Sequence, residues 1–293
     1  MTDNLIPIEY YEAASGELVS PGIETIYQPG IHTAGLASNS WILLTTTSGY
    51  VDSLRNKNFA IITTFNIYDT SDTGAMVFDT QTIHIEADVQ GIYLRKVAGG
   101  PAIKVKWSSG VGTSFLITGT QSEVVCGELH FHLIFGNFAT TNGGSLNIDG
   151  EFRKIATPYS GVLNTADPTR IRLGARLDDP TSVADDSCVA DFGFFAILDL
   201  DNIIGDFNIS WTDAFASMMY TLMQDYNYNP SRIRKEIYTY DKGIKGVYWK
   251  LDEAGESGDA SNLTLSAYDI RTGKLKSGFG GSTSATGCTG VRL

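Results

Sequence analysis

The chain has 293 residues, 42% of them apolar, a formal net charge of −12 and a pI near 4.7. That length supports one large core or two smaller ones. An acid excess of this size argues against direct binding of nucleic-acid phosphates, which takes clustered Lys and Arg. No run of 18 apolar residues occurs, so the pattern predicts no membrane-spanning helix. Cys126, Cys188 and Cys288 are an odd set without the spacing of a zinc site or a disulfide framework, and free thiols are expected. The start, MTDNLIPIEYYEAASGE, has no basic segment leading into an apolar run, so no secretory leader is expected.

Residues 1–30, with Pro7, Pro21 and Pro29, read as an extended N-terminal arm. Short candidate strands follow at 40–51, 58–68, 75–89, 91–99, 102–109 and 114–120. A strand every ten to fourteen residues with no helical period between is the all-β pattern. In AIKVKW, Ile103, Val105 and Trp107 alternate with Lys104 and Lys106, the mark of a half-buried strand. Four more strands are predicted in ELHFHLIFG (128–136), NGGSLNIDGEFRKIA (142–156), TRIRLGARLDD (169–179) and VADFGFFAILDL (189–200). Asp149-Gly150 inside LNIDGEF predicts a two-residue hairpin turn, because a type I′ turn needs positive φ at both central residues.

One helix is predicted at 211–226, where Trp211, Phe215, Met218, Met219, Leu222, Met223 and Tyr226 share a face. Ser210 and Asp213 have the spacing of a capping box, and Asn227–Pro230 ends the helix. The basic run RIRKEIYTYDKG (232–243) reads as a solvated linker or strand, or as a surface that recruits an acidic partner. KGVYWKLDEAGESGDASNLTLSAYD (245–269) opens with a strand that either joins the same sandwich late or adds to another subunit. The Gly/Ser/Thr-rich tail 276–293 has little apolar area to offset the entropy of ordering.

The order ELHFHLIF, GSLNIDGEF, IRLGAR, FGFFAILD resembles the laminin-G/concanavalin-like jelly-roll family. His130, Phe131 and His132 match its first motif, Leu146 to Glu151 its hairpin, Ile171 to Gly174 its third strand and Phe192 to Asp199 its closing strand. His130 stands where that family usually has Trp. The resemblance implies an all-β, concanavalin-like antiparallel β-sandwich with one capping helix and extended terminal arms. The expected division is an N-terminal arm at 1–30, a sandwich at 31–241 and a C-terminal β-arm and tail at 242–293.

Such sandwiches serve many functions. The leading expectation is a non-enzymatic virion protein of a tailed bacteriophage, by analogy with phage proteins that reuse the sandwich. It would be assembled in the host cytoplasm as capsid decoration or part of the tail. Its partners would be other virion proteins or copies of itself, reached through the arms, and a host-surface glycan, with no nucleic acid and no membrane insertion. The alternative is a carbohydrate-binding adhesin with Trp41, Trp107 and Tyr159 as sugar-facing aromatics. A glycosidase ranks third. Glu86 and Asp88 share a face but no third acid follows, and Asp252, Glu253 and Glu256 read as solvated carboxylates. No cofactor is expected. Calcium is the one candidate metal, at the acidic loop Asp178, Asp179, Asp185 and Asp186. His130 and His132 form an H-x-H pair without an evident third ligand, and a family strand accounts for them better.

Overall fold

The computed structural model describes residues 10–11, 18–19, 29–35, 40–48, 50, 58–68, 76–79, 90–96, 103–109, 114–118, 127–137, 144–155, 170–175, 188–200, 209–225, 230–255 and 257–293. The described strands are β1 Tyr10–Tyr11, β2 Leu18–Val19, β3 Pro29–Ala34, β4 Ile42–Thr45, β5 Asn58–Ile67, β6 Met76–Asp79, β7 Gln90–Lys96, β8 Ile103–Ser109 and β9 Ser114–Thr118. They continue with β10 His130–Asn137, β11 Gly144–Ile148, β12 Glu151–Ile155, β13 Arg170–Leu173 and β14 Val189–Asp199. Helices α1 Ile209–Asp225 and α2 Pro230–Tyr240 follow, then β15 Lys245–Trp249, β16 Thr264–Asp269, β17 Leu275–Thr283 and β18 Cys288–Arg292.

Apart from the β1–β2 pair, the strands form one antiparallel sheet in the order β12-β11-β10-β5-β14-β15-β16-β17-β4-β13-β6-β7-β8-β9, and β3 bonds to both β14 and β18. The sheet curls into a sandwich. Phe59, Ile61 and Phe65 of β5, Phe192 and Phe195 of β14, and Trp249 of β15 share one buried cluster with Ile42 and Leu44 of β4 and Ile171 and Leu173 of β13. A second cluster lies on the outer face, where Ala60, Ile62, Phe131, Phe135, Phe194 and Tyr248 pack under Phe215 and Met219 of α1 and Ile237 of α2. Strand β5 is therefore buried along its whole length, which is why NFAIITTFNI has no polar alternation. A bulge at Gly193 puts Phe192 and Phe195 inward and Phe194 outward.

The local signals held. Asp149 and Gly150 have φ of 52° and 77°, as the predicted hairpin requires. The Asp149 carboxylate accepts from the Phe131 backbone N–H at 2.8 Å and pairs with His130 Nδ1 at 2.6 Å, so His130 orients the hairpin.

Two expectations need correction. The basic run is helix α2: Pro230 opens it, and proline suits the first helical turn because no N–H is needed there. Helix α1 starts at Ile209, so Ser210 lies inside it rather than at the cap, and Asp213 accepts from Asn147 Nδ2 of β11 at 3.2 Å, which ties α1 to the sheet. Of the two alternatives expected for 242–293, the strands take the first and join the same sandwich late. β15 pairs with β14, β17 with β4 and β18 with β3, all within the chain. The Gly-rich tail orders because its glycines permit close sheet contacts: a Cβ on Gly281 would lie 2.4 Å from the Leu43 carbonyl oxygen.

Candidate functional site

Asp191 is the one charged residue inside the apolar run VADFGFFAIL, and it is 2% exposed. Strand pairing sets Asn66 of β5 opposite it on one side and His32 of β3 on the other. The row continues from His32 to Thr289 of β18, which bridges to Asp259. Residues directly opposite on antiparallel strands share a face, so Asn66, Asp191, His32, Thr289 and Asp259 form one polar stripe.

Both Asp191 oxygens are engaged. Oδ1 lies 2.7 Å from His32 Nδ1, and Oδ2 accepts from the Tyr68 hydroxyl. A carboxylate oxygen accepts, so Nδ1 carries a proton in this contact, and in the neutral imidazole Nε2 is then an acceptor. His32 is 27% exposed at its side chain and Tyr68 is 46% exposed. Their ring centroids lie 6.0 Å apart at 59°, giving an angled aromatic wall beside the stripe. Burial, then the hydrogen bond to Asp191 and its charge, push the Tyr68 phenol up to about 12, against an opposing hydrogen bond from Asn66. At the far end, the Ser261 backbone N–H holds the exposed Asp259 carboxyl below its ordinary value. The stripe thus offers an aromatic ring, an imidazole acceptor, a hydroxyl and an ionised carboxylate on rigid strands.

A second feature lies where α2 meets the β16–β17 hairpin. Arg234 donates to the carbonyls of Ile270 and Arg271 at 3.2 and 3.3 Å and backs against Gly273, whose φ is +65°. Beside this clamp is an open groove of about 630 Å³, lined by Tyr238, Asp269, Arg271, Thr272, Lys274 and Lys276 among others. Burial works against the Asp269 charge, but hydrogen bonds from Lys276 and Thr272 outweigh it and keep the carboxyl below its usual value. Leu275, at the hairpin, is 70% exposed.

Asp178, Asp179, Asp185, Asp186 and Tyr159, with Glu86, Asp88 and Glu256, fall outside the described residues, as does the side chain of Trp107 in β8. Trp41 is half-buried, and the Arg172 guanidinium sits 5.1 Å from its ring centroid, covering one face. Glu253 is not a solvated carboxylate: Oε1 accepts from the Ser266 backbone N–H at 2.8 Å, and burial pushes its carboxyl up. Among the described residues, Cys188 and Cys288 are buried and form no disulfide. Among the described residues, no group of three or more His, Cys, Asp or Glu is placed to hold a metal. No helix of the described residues is long and apolar enough to cross a membrane.

No family model matches the sequence, and no curated protein matches it. Solved structures do match in shape. A putative carbohydrate binding protein from Bacteroides ovatus ATCC 8483 superposes at a TM-score of 0.51 and 10% identity, over 91% of this chain and 60% of its own. The fold is a concanavalin-like antiparallel β-sandwich. Weaker likenesses are domains LG4-5 of the mouse laminin alpha1 chain (TM-score 0.42, 15% identity, 64% and 46% covered) and the binding domain of Botulinum neurotoxin DC, solved in complex with SialylT (TM-score 0.45, 10% identity, 64% and 40% covered). The chain thus spans between 40% and 60% of the length of these three proteins.

Proposed function

We propose that the protein is a non-catalytic carbohydrate-binding sandwich, with the His32–Tyr68 stripe as its saccharide site. The observation that carries this reading is an exposed Tyr68 ring fixed by a buried Asp191 carboxylate beside outward polar groups. A pyranose presents an apolar C–H face, which packs on an aromatic ring, and a rim of hydroxyls, which need both acceptors and donors. His32 Nε2 and the Asp259 carboxylate accept, and Thr289 supplies a hydroxyl. Strands lie about 4.8 Å apart, so the two steps from His32 to Asp259 span about 10 Å, the length of one to two sugar rings. The fold-level likeness to a putative carbohydrate binding protein is consistent with this use.

The virion reading has Met1–Pro29 and Lys242–Leu293 reach across to neighbours, and most of Met1–Pro29 lies outside the described residues. Strands β15 to β18 are already paired within their own sheet, so saccharide binding is the reading carried forward.

Isothermal titration with neutral oligosaccharides chosen from a glycan array tests the proposal. Tyr68→Ala is expected to weaken binding by about tenfold, since an aromatic contact contributes roughly 0.5–1.5 kcal/mol beyond its buried area. Tyr68→Phe keeps the ring and most of the affinity. Equal affinity of wild type and Tyr68→Ala for every neutral ligand would refute the assignment of this site.

A further inference from the structure

The groove between α2 and the β16–β17 hairpin is basic in a chain of net charge −12. We infer that it takes the acid group of an acidic saccharide, a second contact region apart from the Tyr68 stripe. The inference rests on the saccharide reading for its ligand class but uses different residues.

The charge balance comes first. Among the described residues, Asp269 is the one carboxylate in the groove wall, against Arg271, Lys274 and Lys276. Its oxygens are committed to the turn: Oδ1 accepts from the backbone N–H groups of Arg271 and Thr272 at 3.0 Å each and from the Thr272 hydroxyl at 3.2 Å. Oδ2 pairs with Lys276 Nζ at 3.0 Å. Asp269 therefore builds the hairpin and neutralises Lys276. Among the described residues neither Arg271 nor Lys274 makes an ion pair, and both are exposed at the groove mouth. A planar guanidinium engages a carboxylate or sulfate through two parallel hydrogen bonds, and an ammonium adds a point charge beside it.

Size chooses the bearer of that acid group. A stable protein partner buries about 1,200–2,000 Å² in total, whereas a groove of about 630 Å³ matches a ligand of a few rings. Tyr238 gives it an aromatic flank and Ser277 a hydroxyl. The mouth is also held in shape, because Arg234 fastens the hairpin turn to α2 through two carbonyls.

The test uses the whole chain on an array of acidic saccharides (galacturonate, glucuronate, sialate and sulfate esters) paired with neutral counterparts, followed by titration at low and moderate salt. An acidic saccharide is expected to bind about three- to tenfold more tightly than its neutral partner. Added salt narrows that gap, because screening weakens exposed charge pairs. The double variant Arg271→Gln/Lys274→Gln abolishes the preference, and Tyr68→Ala leaves it in place. The inference is overturned if acid and neutral partners bind alike, if the double variant keeps the preference, or if a glutamate tripeptide binds as tightly as the acidic saccharide. Neutral sugars bound through Tyr68 without acid preference would remove this inference alone. Acid preference lost only in the groove variant would support it even if Tyr68→Ala had no effect on neutral ligands.

Discussion

Asp191 joins three strands through its side chain, and its removal has consequences at two levels. The carboxylate is 2% exposed and holds His32 and Tyr68. Asp191→Ala removes two hydrogen bonds to a charged acceptor but strands no buried charge, because His32 and Tyr68 both reach solvent, so it is expected to lower unfolding free energy by about 2 kcal/mol in urea titrations. Tyr68 adds a pH dependence whose sign follows from its raised phenol. Its folded value of about 12 lies above the ordinary value near 10. The neutral phenol is therefore favoured by folding, and its contribution is fully present below pH ~10 and lost as pH rises towards ~12. Stability measured from pH 9 to 12 should fall less steeply in Tyr68→Phe than in wild type; parallel curves would rule the linkage out. Part of this was legible in the sequence. A lone Asp in a run of apolar residues that is buried on both faces must find partners, and VADFGFFAIL carries that signal. The partners were not legible, because His32 lies 159 residues away and is set opposite by sheet register alone.

At the level of elements, most strands were readable from local pattern, including β5, β10, β13 and β14, whose partners in the sheet are distant in sequence; which strands pair was not, and neither was helix α2. The β11–β12 hairpin follows from Asp-Gly and alternating apolar residues. Helix α2 was read as linker or strand because RIRKEIYTY mixes cations with β-branched and aromatic residues of weak helix propensity. Its formation is a tertiary matter: Ile237 is fully buried in the outer cluster and Arg234 clasps the hairpin. Strand β15 shows how narrow such tertiary fits are. Gly246 has φ +152°, and an added Cβ would lie 2.2 Å from the Ile197 carbonyl oxygen of β14. Backbone cannot yield there as a side chain can, so Gly246→Ala should destabilise by about 3 kcal/mol or more. Gly193→Ala provides the contrast, because its nearest obstacle is the Leu293 Cδ1 methyl, the end of a flexible side chain. A cost of about 1 kcal/mol is expected there. Equal midpoint shifts for the two variants would show that the sheet absorbs the Gly246 clash.

The whole molecule is organised by the return of its last strands, residues 245–292, into its first strands. β17 lies between β16 and β4, and β18 pairs with β3, so residues more than 240 positions apart are neighbours. The expected boundary at residue 241 placed these strands outside the sandwich, because composition alone offers a Gly/Ser/Thr-rich tail nothing to pack against. The structure supplies a partner edge instead: Trp249 Nε1 donates to the Gly280 carbonyl at 2.7 Å, and the Cys288 side chain is buried in the inner cluster. Interleaving of this kind has a direct experimental signature. If 242–293 were a docked arm, cleavage near residue 241 would leave a stable core, and a chain ending at 241 would fold. With β15 in the middle of the sheet order, that truncation exposes the edge of β14, uncovers Trp249's side of the core and strips β4 of its β17 partner. The truncated chain is therefore expected to lose cooperative unfolding and to aggregate through the opened strand edges. Limited proteolysis of the full chain should leave 242–293 intact until the whole sandwich unfolds. Recovery of a monomeric, cooperatively folding fragment ending near residue 241 would show that the inner cluster closes without its C-terminal strands.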